Sequence, residues 1–171
     1  MSQTTIDYKL ILRFSAVKGR ESWPYLRILI DDTVCSEYHF TDNIANIKIP
    51  ISSALNAGEH ILSVERKGRV DNDDPQTVIL DSILLDDIQL PDYFRFEGEF
   101  EFNNTKFPNI EVFQPNGVWR LKFEMPIIDW IINKNFEKNN VDTANLEQRR
   151  QKILEKLLSF EESIKLIVNK T

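Results

Sequence analysis

From Tyr8 to Met125 the apolar residues tend to recur at every second position, in runs that are short. A period of two sends alternate side chains to opposite faces of an extended chain, so each run predicts a β-strand with one buried side. In "DYKLILRFS", Tyr8, Leu10, Leu12 and Phe14 share a face. In "YLRILIDD", Leu26, Ile28 and Ile30 share one face, and Tyr25, Arg27 and Leu29 the other. "NIKIPI" aligns Ile47, Ile49 and Ile51, and "HILSVER" aligns Leu62 with Val64. "DYFRFEGEFEF" sets Phe94, Phe96, Phe100 and Phe102 against Arg95, Glu97, Glu99 and Glu101. In "IEVFQPNGVWRLKFEMP" the Asn116-Gly117 dipeptide predicts a hairpin, with Trp119, Leu121, Phe123 and Met125 on one face beyond it. Many short strands with regular turn signals point to an all-β fold, an antiparallel β-sandwich of jelly-roll-like form, over residues 1–125.

The pattern changes at Pro126, a residue suited to a first helical position. "PIIDWIINKNF", residues 126–136, has helical spacing, with Ile127, Trp130 and Ile131 beside Ile128 and Ile132. "EKNNVDTAN" is polar, so residues 126–144 are expected to form a short helix and a linker. Residues 145–170 predict an amphipathic C-terminal α-helix, in which Leu146, Ile153, Leu157, Phe160, Ile164 and Ile167 make a heptad stripe interrupted by Arg150. Asn145 followed by Gln148 resembles a capping box at its start. A second line, Leu154, Leu158 and Leu166, widens the apolar surface beyond a narrow seam. Such a helix gives an assembly component a contact surface. The expected partner is therefore a protein, or a second copy of this chain.

Two acidic pairs, Asp31-Asp32 and Asp86-Asp87, interrupt apolar runs. General acid–base chemistry needs carboxylates that face each other across a cleft. Adjacent strand residues face opposite ways, whereas aspartate bonds its own backbone in turns and tolerates left-handed conformations. These pairs are therefore expected to be turns. Glu97, Glu99 and Glu101 would share a face in a strand, and are expected to be an acidic solvent face offset by Arg120 and Lys122. His39 and His60 form no metal-spaced pair, no nucleophile elbow is present, and five glycines supply no phosphate-binding loop. No catalytic residue is assigned. Asp71, Asp73 and Asp74 leave calcium open as the one cofactor, although Pro75 breaks the spacing of a calcium-binding helix–loop–helix.

A formal net charge of -6 disfavours nucleic acid, whose binding needs clustered lysine and arginine. The one basic cluster, Arg66-Lys67-Gly68-Arg69, reads as a solvated hairpin end. Cys35 stands alone, so no intrachain disulfide forms. No apolar run approaches the roughly 18 residues of a membrane helix, and no signal peptide is visible at "MSQTTIDYKL". The expected location is a cytoplasm, or a virion made there. Trp119 and Trp130 read as core, while Trp23, beside Pro24, is a candidate sugar platform.

The stretches "LRILIDDTV", "LNAGEHILSVERKG" and "VILDSILLDDIQL", within about Ile11 to Leu90, resemble carbohydrate-binding modules of the β-sandwich type. Gly58, His60, Leu62 and Val64 match a Gly-x-His-x-Leu-x-Val run of that group. Asp81, Ile83, Leu85 and Asp86 match its Asp-x-Ile-x-Leu-Asp strand. The resemblance implies a sandwich and glycan recognition without catalysis. Calcium-dependent members carry an Asp-Arg-Asn-Leu run where this chain has Pro75, Gln76, Thr77 and Val78, so no ligand residues are carried over. The layout also resembles small structural proteins of tailed-phage virions, which implies capsid decoration or a tail-associated role through the C-terminal helix. Assembly is the leading expectation and glycan recognition the alternative.

Overall fold

A computed structural model describes residues 8–52, 55–70, 76–140 and 151. In chain order the strands are β1 (Tyr8–Val17), β2 (Tyr25–Ile30), β3 (Thr33–His39), β4 (Ile44–Ile51), β5 (Gly58–Lys67), β6 (Thr77–Leu85) and β7 (Ile88–Gln89). A short helix α1 (Tyr93–Phe96) precedes β8 (Glu99–Phe102), β9 (Thr105–Pro108), β10 (Val112–Phe113) and β11 (Gly117–Met125). All pairings are antiparallel. One sheet runs β10-β6-β1-β4, with β7 hairpinned onto β6, and the other runs β3-β2-β5-β11-β8-β9. This is the antiparallel sandwich that the alternation predicts.

The core is built mainly from the inner faces of β1, β2, β4, β5, β6 and β11. Leu10, Leu12 and Phe14 of β1 lie across from Leu85, Ile83 and Leu80 of β6, and all are buried. Ile47, Ile49 and Ile51 of β4 complete that layer. The second layer comes from Leu26 and Ile28, Leu62 and Val64, and Trp119, Leu121 and Phe123. Phe100 stacks on Phe113 with ring centroids 5.1 Å apart, and Phe113 abuts Trp119.

Strand β6 reads as apolar in both phases because it is bulged. The pairing slips between Arg13 and Phe14, so Asp81 is the extra residue. Val78 and Leu80 face inward before the bulge, and Ile83 and Leu85 after it. A bulge leaves backbone groups without ladder partners. Here Arg95 of α1 donates from Nη1 to the carbonyls of Leu80 (3.1 Å) and Asp81 (2.8 Å) and pairs with Glu111 at 2.8 Å. Ser15 Oγ donates to Asp81 Oδ1 at 2.8 Å.

Three sequence expectations are corrected. "DYFRFEGEFEF" is not one strand, since Phe94, Arg95 and Glu97 donate backbone N–H groups to Pro91, Asp92 and Tyr93, winding a helical turn. Glu97 therefore leaves the face that carries Glu99 and Glu101. Gly98 restarts the extended chain, and a Cβ there would collide with the Trp119 indole. The Asn116-Gly117 hairpin also fails, because β10 pairs with β6 while β11 pairs with β5 and β8 in the other sheet. Asn116 instead uses its side-chain amide, accepting from the Arg69 N–H (3.0 Å) and donating to the Arg69 carbonyl (2.9 Å). Finally, the basic cluster is divided by strand alternation. Lys67 faces outward, but Arg66 follows Leu62 and Val64 inward, is 1% exposed, and donates to Gln76 Oε1 at 2.8 Å.

The chain divides after Ile127 into two compact units. Helix α2 covers residues 127–140, so helix extends over four residues read as linker, and residue 151 is helical. Trp130 is buried, while Ile132 and Phe136, one turn apart, are 58% and 69% exposed. The stripe residues Leu146, Ile153, Leu157, Phe160, Ile164 and Ile167 lie outside the described residues, as do Asp71, Asp73 and Asp74. No helix among the described residues is long and apolar enough to cross a membrane.

Candidate functional site

Both acidic pairs are turns. Asp31-Asp32 joins β2 to β3 and Asp86-Asp87 joins β6 to β7, each as a two-residue loop with both residues at positive φ (47° and 64°, 47° and 70°). Two positive φ values match a type I′ hairpin, whose twist suits the flanking strands. Asn103-Asn104 makes the same turn between β8 and β9. The first aspartate of each acidic turn also reaches a third strand. Asp31 N–H donates to the Ile61 carbonyl (3.0 Å) while its Oδ1 accepts from the Ile61 N–H (2.9 Å). Asp86 does the same to Lys9, at 2.9 and 2.7 Å. The carboxylate stands in for a backbone carbonyl and carries the ladder one step past the last paired residues.

His60, on the inner face of β5, bonds at both ring nitrogens. Nδ1 meets Asp31 Oδ2, and Nε2 meets the Asn56 carbonyl at 2.8 Å. Asp31 first, and then Asn56, raise the His60 pKa against the opposing effect of burial. The hydrogen bond with His60 and that from the Ile61 amide lower the pKa of Asp31. With Nε2 bonded to a backbone carbonyl, neither nitrogen is left to serve a nucleophile. The other carboxylates considered for chemistry are in ion pairs, Glu99 with Lys106 (3.3 Å) and Glu101 with Arg120 (2.6 Å). The expected offset by Arg120 is present, but Lys122 pairs with Glu59 at 2.9 Å.

The outer face of the six-stranded sheet holds an array that the sequence reading did not assemble. Tyr25 on β2 lies between His39 on β3 and Lys67 on β5. Two residues on, Arg27 lies between Glu37 and Glu65. The result is two rows of three, the first an aromatic pair flanked by Lys67 and the second charged throughout. The Tyr25 and His39 rings stack with centroids 4.3 Å apart and planes 21° apart. Arg27 Nε donates to Glu65 Oε2 at 2.7 Å, and Lys67 Nζ reaches the same oxygen at 2.9 Å. Partial burial works to raise the Glu65 pKa, but the hydrogen bonds from Lys67 and Arg27 win and lower it. Desolvation, followed by hydrogen bonding to Glu37, raises that of Tyr25, so the phenol keeps its proton. His39 is exposed and Tyr25 half-buried. Trp23 is half-buried in the segment leading into β2.

No family model matches the sequence, and no curated protein matches it. Two solved structures are similar in backbone. One is vCBM60 in complex with galactobiose, at 16% identity and a TM-score of 0.45, covering 68% of this chain and 97% of that one. The other is a selenomethionine form of vCBM60, described with two families of calcium-dependent carbohydrate binding modules. It has 15% identity and a TM-score of 0.46, covering 67% of this chain and 89% of that one.

Among the described residues, no group of three histidine, cysteine, aspartate or glutamate side chains is placed to hold a metal. A separate open groove of about 400 Å³ is lined by Phe100, Phe102, Phe107, Ile110, Val112 and Gln114, with Pro115 at one end. It is mostly apolar, and Gln114 is the one polar side chain in its lining.

Proposed function

We propose that this chain is a non-catalytic glycan-recognition module whose sugar platform is the Tyr25–His39 pair. The observation that supports this reading is the two-row array on the outer face of β2, β3 and β5. A pyranose ring presents apolar C–H patches and a rim of vicinal hydroxyls. An aromatic body set among a few fixed polar groups suits both. The charge-paired row is held in place before a ligand arrives, which reduces the ordering cost of binding. Calcium dependence has no support among the described residues. The test is a glycan-array screen of the full chain, followed by calorimetry with the best hit. Tyr25→Ala should weaken binding by about tenfold or more, and Arg27→Ala by a smaller factor. Binding that survives both changes would place the sugar elsewhere, and a blank array would sink the reading.

A second reading, association through the C-terminal segment, is favoured by one observation. Ile132 and Phe136 expose apolar side chains one helical turn apart on α2. Light scattering after size exclusion, on the full chain and on a chain ending at Asn140, tests it. An oligomer that becomes monomeric on truncation supports association, and monomers in both cases oppose it. A virion role has no supporting observation in the fold or the site.

A further inference from the structure

We propose that His60 is a proton-dependent clasp between the β2–β3 turn and the connection entering β5. Both ring nitrogens face acceptors, a carboxylate oxygen of Asp31 at Nδ1 and the Asn56 carbonyl at Nε2. Only the imidazolium has two N–H donors, so only the charged ring satisfies both. A neutral ring has one. The carboxylate keeps it, because a charge-assisted hydrogen bond is roughly twice as strong as a neutral one. Nε2 then turns a lone pair toward the Asn56 oxygen, and that end of the clasp lets go.

The setting makes this consequential. His60 is 8% exposed, so water does not readily replace the lost partner. Phe123 of β11 packs against the ring at 5.6 Å and holds it in place. Asp31 is the one charged group facing the ring among the described residues. Glu59, Lys122 and Glu124 belong to the opposite face by strand alternation. On the far side of the clasp, Leu55 N–H donates to the Ser52 carbonyl at 3.0 Å, one residue from Asn56. The protection of that amide reports whether the connection is held. The clasp lies at the end of β5 remote from Tyr25 and Lys67, so it stands or falls independently of glycan binding.

The test follows two signals in the full chain by NMR. The first is the His60 ring titration, assigned with a His39→Gln variant. Its midpoint should lie above the ordinary histidine value of about 6.5, and Asp31→Asn should move it down while keeping an acceptor for the Ile61 amide. The second is exchange protection of the Leu55 amide, corrected for intrinsic rate. It should fall by about tenfold as pH rises through that midpoint. His60→Phe, which keeps a ring but has no N–H to donate, should show the low protection at every pH. A midpoint at or below 6.5 overturns the clasp, as does Leu55 protection that ignores the titration. So does a His60→Phe variant as protected as the acidic wild type.

Discussion

Asp31 and Asp86 are first residues of matching turns, and each uses its carboxylate as an extra backbone acceptor for a neighbouring strand. Their partners Asp32 and Asp87 share the positive φ but have no comparable bond to a strand amide. The two members of each pair should therefore respond differently to mutation. Asp86→Ala removes the acceptor from the Lys9 N–H and forces alanine into a left-handed conformation. Together these should cost about 2–3 kcal/mol. Asp86→Asn keeps an acceptor and tolerates the backbone, so most of that loss should be absent. Asp87→Gly should fall within about 0.5 kcal/mol of wild type, or improve on it, because glycine suits φ of 70°. Urea midpoints at constant m-value measure all three. Equal costs at Asp86 and Asp87 would mean that the turn alone, not the ladder extension, is what matters. The turns were legible in the sequence because aspartate pairs between apolar runs have few other uses. The carboxylate's third-strand partner was not legible, because it depends on the register of residues 77 positions apart.

Strands were legible wherever the alternation was clean, as in β1, β4 and β5. They were illegible where a helical turn or a crossing between sheets mimicked it. Residues 93–97 alternate as a strand would, yet wind as helix so that Arg95 can reach the bulge carbonyls of β6. Residues 112–117 carry a hairpin signal, yet cross between sheets. Gly117 is needed there for close approach, since a Cβ would lie 2.6 Å from the Glu101 carbonyl oxygen. In both places a tertiary contact outweighs local propensity. The role of Arg95 is open to test. Arg95→Met keeps the packed stem but strips Leu80 O, Asp81 O and Glu111 of their shared cation, which should cost about 2–4 kcal/mol. Arg95→Lys should recover less than half of this, lacking the planar fork. An Arg95→Met protein within about 0.5 kcal/mol of wild type would show that the bulge supports itself.

At the scale of the whole molecule, the two faces of the six-stranded sheet divide the work. The inner face supplies core. The outer face supplies the Tyr25 array and a ladder of ion pairs reaching from Arg27 toward Lys106. The fold class was legible because period-two patterning needs no register. The candidate array was not, because Tyr25, His39 and Lys67 meet only once β2 is placed between β3 and β5. The same placement fixes how the molecule responds to pH. Asp31 and Glu65 have folded pKa values below their unfolded ones. Their stabilising contributions are present above the unfolded carboxylate values, about 3.9 and 4.3, and vanish as pH falls through the lowered folded values. His60 has the opposite sign. Its contribution is complete below the unfolded histidine value of about 6.5 and is lost as pH rises through the raised folded value. Unfolding free energy should therefore form a plateau across mildly acidic pH, with an acidic limb from the carboxylates and an alkaline limb from His60. Urea titrations from pH 3 to 9 trace it. His60→Gln should flatten the alkaline limb and leave the share of the acidic limb due to Glu65. If the alkaline limb survives that change, the proton lost there belongs to another group, and His60 sits in its pocket uncharged.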